Sequence, residues 1–414
     1  MLKLNSIPND MFEKKKVNDR VVKINELSIS RNELVSTGRL LLCEHSGRAI
    51  TALTGSKESF NSICEREGID FGSLSKNHQR EKFLFCAAIA DLSVGREAPA
   101  SYEDAVKNQL QYAHNAKFWE AFNAIDVDVI SPLFPTITED VALGGLMQTY
   151  KVPLGQTLQI DVKSNDVFLF EDSAWGSGRS TTKNYLYGKS ITLTAKQHSC
   201  NATIKWYQDI VNGEAGRYYA AILNGMLNKI YAIFMSQLNT AAGNTKYVPS
   251  GLKTTTYSTD NWNAICTKVA VVNGVRRTDL MAFGQISELS KILPTDSTPA
   301  AITGLQYGLG AEWFRRGYLP NASGVQLVEV YPVVIPGTQN STVDTINLGN
   351  NIYVAAKGGQ GYAPLAMAVA DGSPITIVAT PSDTADFTID MNIGAMFDIK
   401  PVFASKIGVI ADAS

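Results

Sequence analysis

Protein chemistry needs side chains that ionise, coordinate or attack, and in this chain of 414 residues they are scattered. The four histidines, His45, His78, His114 and His198, show no HExxH or comparable spacing, and no cysteine pair completes a metal site beside them. Each reads as an exposed or hydrogen-bonded histidine. The five cysteines, Cys43, Cys64, Cys86, Cys200 and Cys266, are odd in number and form no CxxC. They fit reduced thiols in a cytoplasm better than a disulfide framework. GSGRSTTK, from Gly176, has the glycines of a phosphate loop but lacks the GK[ST] ending, and it falls in a hairpin tip instead of between a strand and a helix. GLGAEW, from Gly308, breaks the GxGxxG spacing, and its glycines suit a tight turn. No GxSxG elbow is present. Two carboxylate pairs remain. Asp126 and Asp128 would share one strand face, where a solvated edge commonly carries DxD, and Glu171 with Asp172 suits a surface ion pair better than a bound cation. These residues assemble no catalytic site and imply no cofactor and no metal.

The elements that would carry any function are more informative. Residues 212–243 are organised as one long amphipathic helix. Tyr219, Ile222, Leu223, Met226, Leu227, Ile230, Ile233, Phe234 and Leu238 recur at three- and four-residue steps and share an apolar face, with Tyr219, Leu223, Met226, Ile230 and Phe234 as its core. Arg217, Ala221, Asn224, Gly225, Asn228, Ala232, Ser236 and Asn239 fall opposite, small or polar. Asn212 suits the N-cap, Glu214 the positive end of the dipole, and Gly243 a left-handed C-terminus. At about 1.5 Å per residue the helix is roughly 40 Å long, a spine on which sheets can hang.

Before it, residues 1–130 lean helical, with a capping box at SYED from Ser101 that opens a helix through Phe118, Trp119 and Phe122. From Asp126 to Trp206 the pattern reads as β, in DVDVISPLFP, TLQIDV, KSITLTA and NATIKW. Between the second and third of these lies a Gly-, Ser- and Thr-rich stretch bearing Phe168, Phe170, Trp175, Tyr185 and Tyr187. A long hairpin with an aromatic tip accounts for it. Two strands alone have no core, so those aromatics need a partner surface, in the chain or on another copy. After the spine, helices are expected over residues 261–272 and 278–293, then strands at VQLVEVYPVVIP, residues 346–356, residues 375–379, and short β pieces in DFTIDM and FDIKPVFASKIGVI.

Composition sets outer limits. The chain is long enough for two or three domains, with 45% hydrophobic and 18% charged residues. A net charge of -2 supplies no basic excess for a dedicated nucleic-acid binder. No run approaches the roughly 20 apolar residues of a membrane span, and the N-terminus has no apolar signal core, so a membrane partner is not expected.

Taken in order, an N-terminal arm, a hairpin with a FLFED tip, a Ser/Thr run, a returning strand SITLTAKQHSCNATIKWYQDIV and a long spine helix resemble the major capsid proteins of tailed phages, the Hong Kong 97 shell fold. The resemblance covers roughly residues 130–414 and is most specific over residues 153–243. Phe168, Phe170 and Glu171 match the family's aromatic-before-glutamate pattern in the extended loop, or E-loop. Trp206, Tyr207 and Asp209 fall where the family turns into the spine helix. GAEWFRRGYLPNASGVQLVEVYPV is similar to the entry into an axial-domain strand, and DFTIDMNIGAMFDIKPVFASKIGVI to the closing strands. The chain departs from the family in Asp172, where glycine often follows the glutamate, and in residues 1–130, which match no family motif.

The resemblance implies an α+β fold with a long spine helix, an extended β-hairpin E-loop, and axial and peripheral domains. Residues 1–130 would be an N-terminal arm or built-in scaffold. The peripheral domain would hold residues 131–154 and 206–243, the E-loop residues 155–205, the axial domain residues 244–384, and the closing strands residues 385–414. It further implies no enzymatic activity but self-assembly into hexamers and pentamers of an icosahedral phage head. Phe168, Phe170, Glu171, Trp175 and Arg179 of the E-loop would contact the adjacent subunit. Implied partners are other copies of the chain, portal and scaffolding proteins, minor capsid or decoration proteins, and packaged double-stranded DNA held without sequence preference. Assembly would occur in a bacterial cytoplasm and end in the virion. An encapsulin-like nanocompartment shell is the nearer alternative, and a soluble enzyme the more distant one.

Overall fold

The structure of the chain is a computed structural model. It describes residues 21–24, 27–30, 35, 116–131, 146–162, 170, 189–205, 215–245, 247–292, 315–335, 337–338, 340–357, 363–372, 374–381, 388–402 and 406–411. These combine helices with mainly antiparallel sheets. The chain divides into two compact units. The first comprises Met1–Glu139, Lys196–Leu227 and Gly372–Met396, and the second Asp140–Ala195, Asn228–Asp371 and Phe397–Ser414.

In the first unit, β1 (Val21–Ile24) and β2 (Leu27–Ser30) form a hairpin inside the region expected to lean helical. Helix α1 (Ala116–Ile130) follows. Trp119, Phe122, Ile125, Val129 and Ile130 are buried on one side, while Lys117, Glu120 and Ala124 are exposed. The Trp119 and Phe122 rings meet edge to face at 5.6 Å. Residues 126–130, expected as a strand, are thus the last turns of this helix. Their β-branched residues favour a strand locally, but Trp119, Phe122, Asp126 and Val129 recur at helical steps, and burial of that stripe overrides the local preference. Helix α1 packs on β15 (Ile375–Pro381). Strand β15 pairs antiparallel with the first part of β16 (Thr388–Pro401), from Ile375↔Ala395 to Pro381↔Ile389. Strand β6 (Lys196–Lys205) also pairs with β16, and Thr203 Oγ1 donates to Asp390 Oδ1 at 2.7 Å.

The long helix α2 (Ala215–Ala242) has 28 residues and contributes sequence to both units. Tyr219, Ile222, Leu223, Met226, Ile230, Phe234 and Leu238 are buried, with Tyr218 and Met235 added, and Leu227 and Ile233 half-buried. Arg217, Ala221, Asn224, Gly225 and Ser236 are exposed. Asn212 and Glu214 lie outside the described residues. Gly243 does not take a left-handed conformation. Its N–H bonds Asn239 O at 3.3 Å, and Lys253 Nζ donates to Ala242 O at 3.0 Å, so an ammonium does the capping expected of glycine.

In the second unit a six-stranded sheet runs β7 (Lys253–Thr254), β17 (Gly408–Ala411), β13 (Asn351–Ala356), β8 (Leu280–Gly284), β10 (Val325–Glu329), β9 (Asn321–Ala322). Helix α3 (Thr259–Asn273) lies against β13 and β17. Ser258 caps its start by accepting from Asn261 N, and Gly274 at φ 64 ends it. The second expected helix, residues 278–293, is corrected by strand β8, all five of whose residues are buried, and only the short α4 (Ile286–Leu289) follows. LMAFG is an apolar run buried on both sides, which periodicity cannot separate from a helix, and pairing with β10 and β13 on either edge decides it. The short β11 (Val333–Val334) and β12 (Thr345–Ile346) pair with each other. Strand β14 (Leu365–Ala370) pairs with the end of β16 and runs parallel to β3 (Met147–Val152). Its Ala-rich LAMAVA sequence carries no strand signal of its own. The closing segment, expected as short pieces, holds one continuous 14-residue strand, β16.

Two glycines test this packing in opposite directions. A Cβ at Gly408 would meet Ile265 Cγ2 at 2.5 Å and Val269 Cγ2 at 2.7 Å, whereas one at Gly225 would meet nothing within 4 Å. Chemical denaturation should show Gly408→Ala destabilised by about 1–3 kcal/mol through overpacking. Gly225→Ala should be stabilised by up to about 1 kcal/mol, because a solvent-facing helix interior gains from losing glycine.

Candidate functional site

A tight turn leads from β3 into the hairpin that follows it. Gln156 N bonds Pro153 O at 3.0 Å, and Gly155 at φ 75 supplies the positive dihedral that the turn requires. Strands β4 (Thr157–Val162) and β5 (Lys189–Thr194) then pair antiparallel from Thr157↔Thr194 to Val162↔Lys189. Alternation gives the hairpin two faces. Leu158, Ile160, Ile191 and Leu193 turn inward onto a cluster of Val152, Ala366, Ala368 and Val402, with Tyr150 beside them. Thr157, Gln159, Asp161, Ser190 and Thr192 face solvent, and Gln159 Nε2 donates to Ser190 Oγ at 2.5 Å. Lys400 Nζ donates to Thr192 O at 2.8 Å, tying the second arm down. The root is therefore fixed by an apolar face and a charged hydrogen bond.

Residues 163–188 continue from that root. Phe170 is 91% exposed, the largest exposure among the large hydrophobic side chains described. Phe168, Glu171, Trp175 and Arg179 lie outside the described residues, as do Asp172 and the glycine motifs at Gly176 and Gly308. All five residues expected at the core of the long helix, Tyr219, Leu223, Met226, Ile230 and Phe234, are buried.

Asp126 corrects the sequence reading. It is not on a solvated strand edge but wholly buried on α1, where Oδ1 accepts from Tyr219 Oη at 2.6 Å. Burial pushes its carboxyl up to about 8 against the opposing effect of that hydrogen bond. Tyr218, whose Oη donates to Met391 Sδ at 2.9 Å, is raised well above the usual phenol range by burial and by the Asp126 charge. Its companion Asp128 is half-buried. The signal was available: a lone acid stands inside the helical stripe of Trp119, Phe122 and Val129.

Among the described residues, reactive groups are otherwise few. Cys200 is exposed on β6, while burial pushes the Cys266 thiol up to about 12 despite the Arg277 guanidinium nearby. Among the described residues, no group of three His, Cys, Asp or Glu could hold a metal ion, and no helix is long and apolar enough to cross a membrane. His198 is half-buried on β6, and the other three histidines lie outside the described residues.

Compared with known proteins, the chain matches no family model and no curated protein. Among solved structures it is similar to a subunit of the bacteriophage PhiM1 mature capsid, at 13% identity and a TM-score of 0.41, over 65% of this chain and 86% of that one. It is similar to the capsid of cyanophage P-SCSP1u at 12% identity and a TM-score of 0.41, again over 65% and 86%. It is also similar to the SrpI encapsulin complex of Synechococcus elongatus, at 12% identity and a TM-score of 0.34, over 67% and 88%. Identities and scores of this size leave the functional reading to rest on the chain's own residues.

Proposed function

We propose that this chain is a shell protein whose copies assemble into a closed particle, the icosahedral head of a tailed phage. The observation that carries the reading is the hairpin. Its root is anchored by Leu158, Ile160, Ile191 and Leu193, and beyond that root Phe170 stands almost fully in solvent. Burying a phenyl ring is worth about 1.5–3 kcal/mol, so an aromatic left in solvent beyond a rooted hairpin base gains by being covered by another surface. In the shell that surface is the adjacent copy, contacted by Phe168, Phe170, Glu171, Trp175 and Arg179.

The reading extends to hexamers and pentamers as building blocks, residues 155–205 as the E-loop, residues 244–384 as the axial domain, and a peripheral domain on α2. It draws on the order of parts in the sequence, which resembles that of the phage major capsid family. Repeated identical contacts need symmetric surfaces and no catalytic centre. With a net charge of -2 the wall would hold packaged DNA only loosely. Portal, scaffolding and decoration proteins complete the proposed partners.

The test is electron microscopy of the purified protein, alone and with a candidate scaffold, beside a variant carrying Phe168→Ser, Phe170→Ser and Trp175→Ser. The unmodified chain should give closed shells or capsomer rings. The variant should keep its circular dichroism and melting curve yet form no shells, since a central aromatic contact is commonly worth about 2 kcal/mol or more per copy. Intact shells from the variant would remove the proposed role of the hairpin, and a homogeneous monomer or dimer from the unmodified chain would remove the shell itself.

A further inference from the structure

Two polar side chains of α1, Asn123 and Asp126, are buried, and Tyr219 of α2 reaches the second. Asp126 is completely buried, and while its Oδ1 accepts the Tyr219 hydroxyl at 2.6 Å, its Oδ2 has no partner. Asn123 lies three residues earlier on the same buried stripe, and its Oδ1 has no partner either. Two unpartnered acceptors three residues apart on a buried stripe are costly, because each has given up water without gaining a donor. The one Tyr219 hydroxyl hydrogen is already engaged by Oδ1. A single proton resolves both defects. Placed on Oδ2, it neutralises the carboxyl and gives Asp126 a hydrogen to offer towards Asn123, and side chains three apart on a helix are within reach of each other.

We propose that Asp126 is a protonated latch: its carboxylic acid, held between Tyr219 and Asn123, fastens α1 into its unit, and loss of the proton frees the helix. The surroundings agree. Other ionisable side chains described on α1 are the exposed Lys117 and Glu120 and the half-buried Asp128. From α2 come Tyr218, Tyr219 and the exposed Arg217; β15 brings none, and β16 in this unit brings only Asp390, which is exposed and accepts from Thr203. Burial and the Tyr219 hydrogen bond are what set the Asp126 carboxyl at about 8, with no cation contributing.

The direction of the pH effect follows. With α1 released, Asp126 is an ordinary aspartate that ionises near pH 4. Between about pH 4 and 8 the latched state therefore binds a proton that the released state does not. Latching is strongest below about pH 4, weakens by about tenfold per unit as pH rises, and levels off above about pH 8. This inference stands independently of shell assembly.

Hydrogen exchange on the full chain between pH 5 and 9, normalised to intrinsic rates, tests it. Protection of α1 amides should fall about tenfold per pH unit and flatten near pH 8, while α3 holds its protection. Asp126→Asn keeps the acceptor for Tyr219 and a donor for Asn123 but cannot ionise. Its α1 should show no slope and should exceed the unmodified chain in protection at pH 7 and above. A level profile in the unmodified chain, or the same slope in Asp126→Asn, overturns the latch. Should Asp126→Asn fail to fold, Asn123→Leu decides. Without the acceptor for the acid's hydrogen, the slope should flatten at a pH lower by about half a unit or more, and an unmoved end-point overturns the proposal.

Discussion

A helix of 28 residues is stable only while its apolar face is kept dry, since propensity alone leaves helices marginal in water. In α2 that requirement falls on both units of the chain. Within the first, the burial of Tyr218, Tyr219, Ile222 and Leu223 brings two phenol hydroxyls out of solvent, and both must find acceptors. Met391 Sδ serves one and Asp126 Oδ1 the other. Within the second, Phe234, Met235 and Leu238 are buried, and the polar work passes to Asn239. Its Nδ2 donates to Asn347 O at 3.1 Å and its Oδ1 accepts from Tyr353 Oη at 2.8 Å.

These two tyrosine networks solve the same problem with different chemistry. The Tyr353 hydroxyl meets a neutral amide whose other end is also paired, and burial only strengthens its hold on its own proton. Tyr219 meets a carboxyl, a group with four lone-pair positions and, when ionised, no hydrogen to give. One oxygen is satisfied and the other is not. A neutral network is indifferent to pH, whereas one centred on an acid is coupled to it. The difference lies in a single amide against a single acid, Asn239 against Asp126.

Legibility of the sequence followed the same physics. The face of α2 and the arms β4 and β5 were readable because each is buried on one side only, and one-sided burial writes a period into the residues. Strand β8 was not, because LMAFG is covered on both sides and carries no alternation. LAMAVA in β14 was hidden by alanines, which pack in a closed site but favour no strand on their own. At Asp126 the failure was of another kind. Composition places acids on surfaces, and only the register of Trp119, Phe122 and Val129 across two helical turns marks this one as interior. The capping of α2 by Lys253, eleven residues beyond Ala242, is a tertiary contact with no local signal at all.

The hairpin shows how one-sided burial can also speak about what lies beyond a single chain. Strands β4 and β5 could have been solvated on both faces, as many surface hairpins are, but their inner row is packed and Lys400 holds the backbone of Thr192. Fixing the root removes its own share of the entropy that would be lost on meeting a partner. An exposed Phe170 on a loosely attached loop would carry little meaning, since single surface hydrophobics are common. Strands β4 and β5 are fastened by four inward side chains, and the chain that bears Phe170 leaves from that fixed base. For the proposed assembly of identical copies such a base has a use, because each hairpin would be offered to the same surface on the next chain.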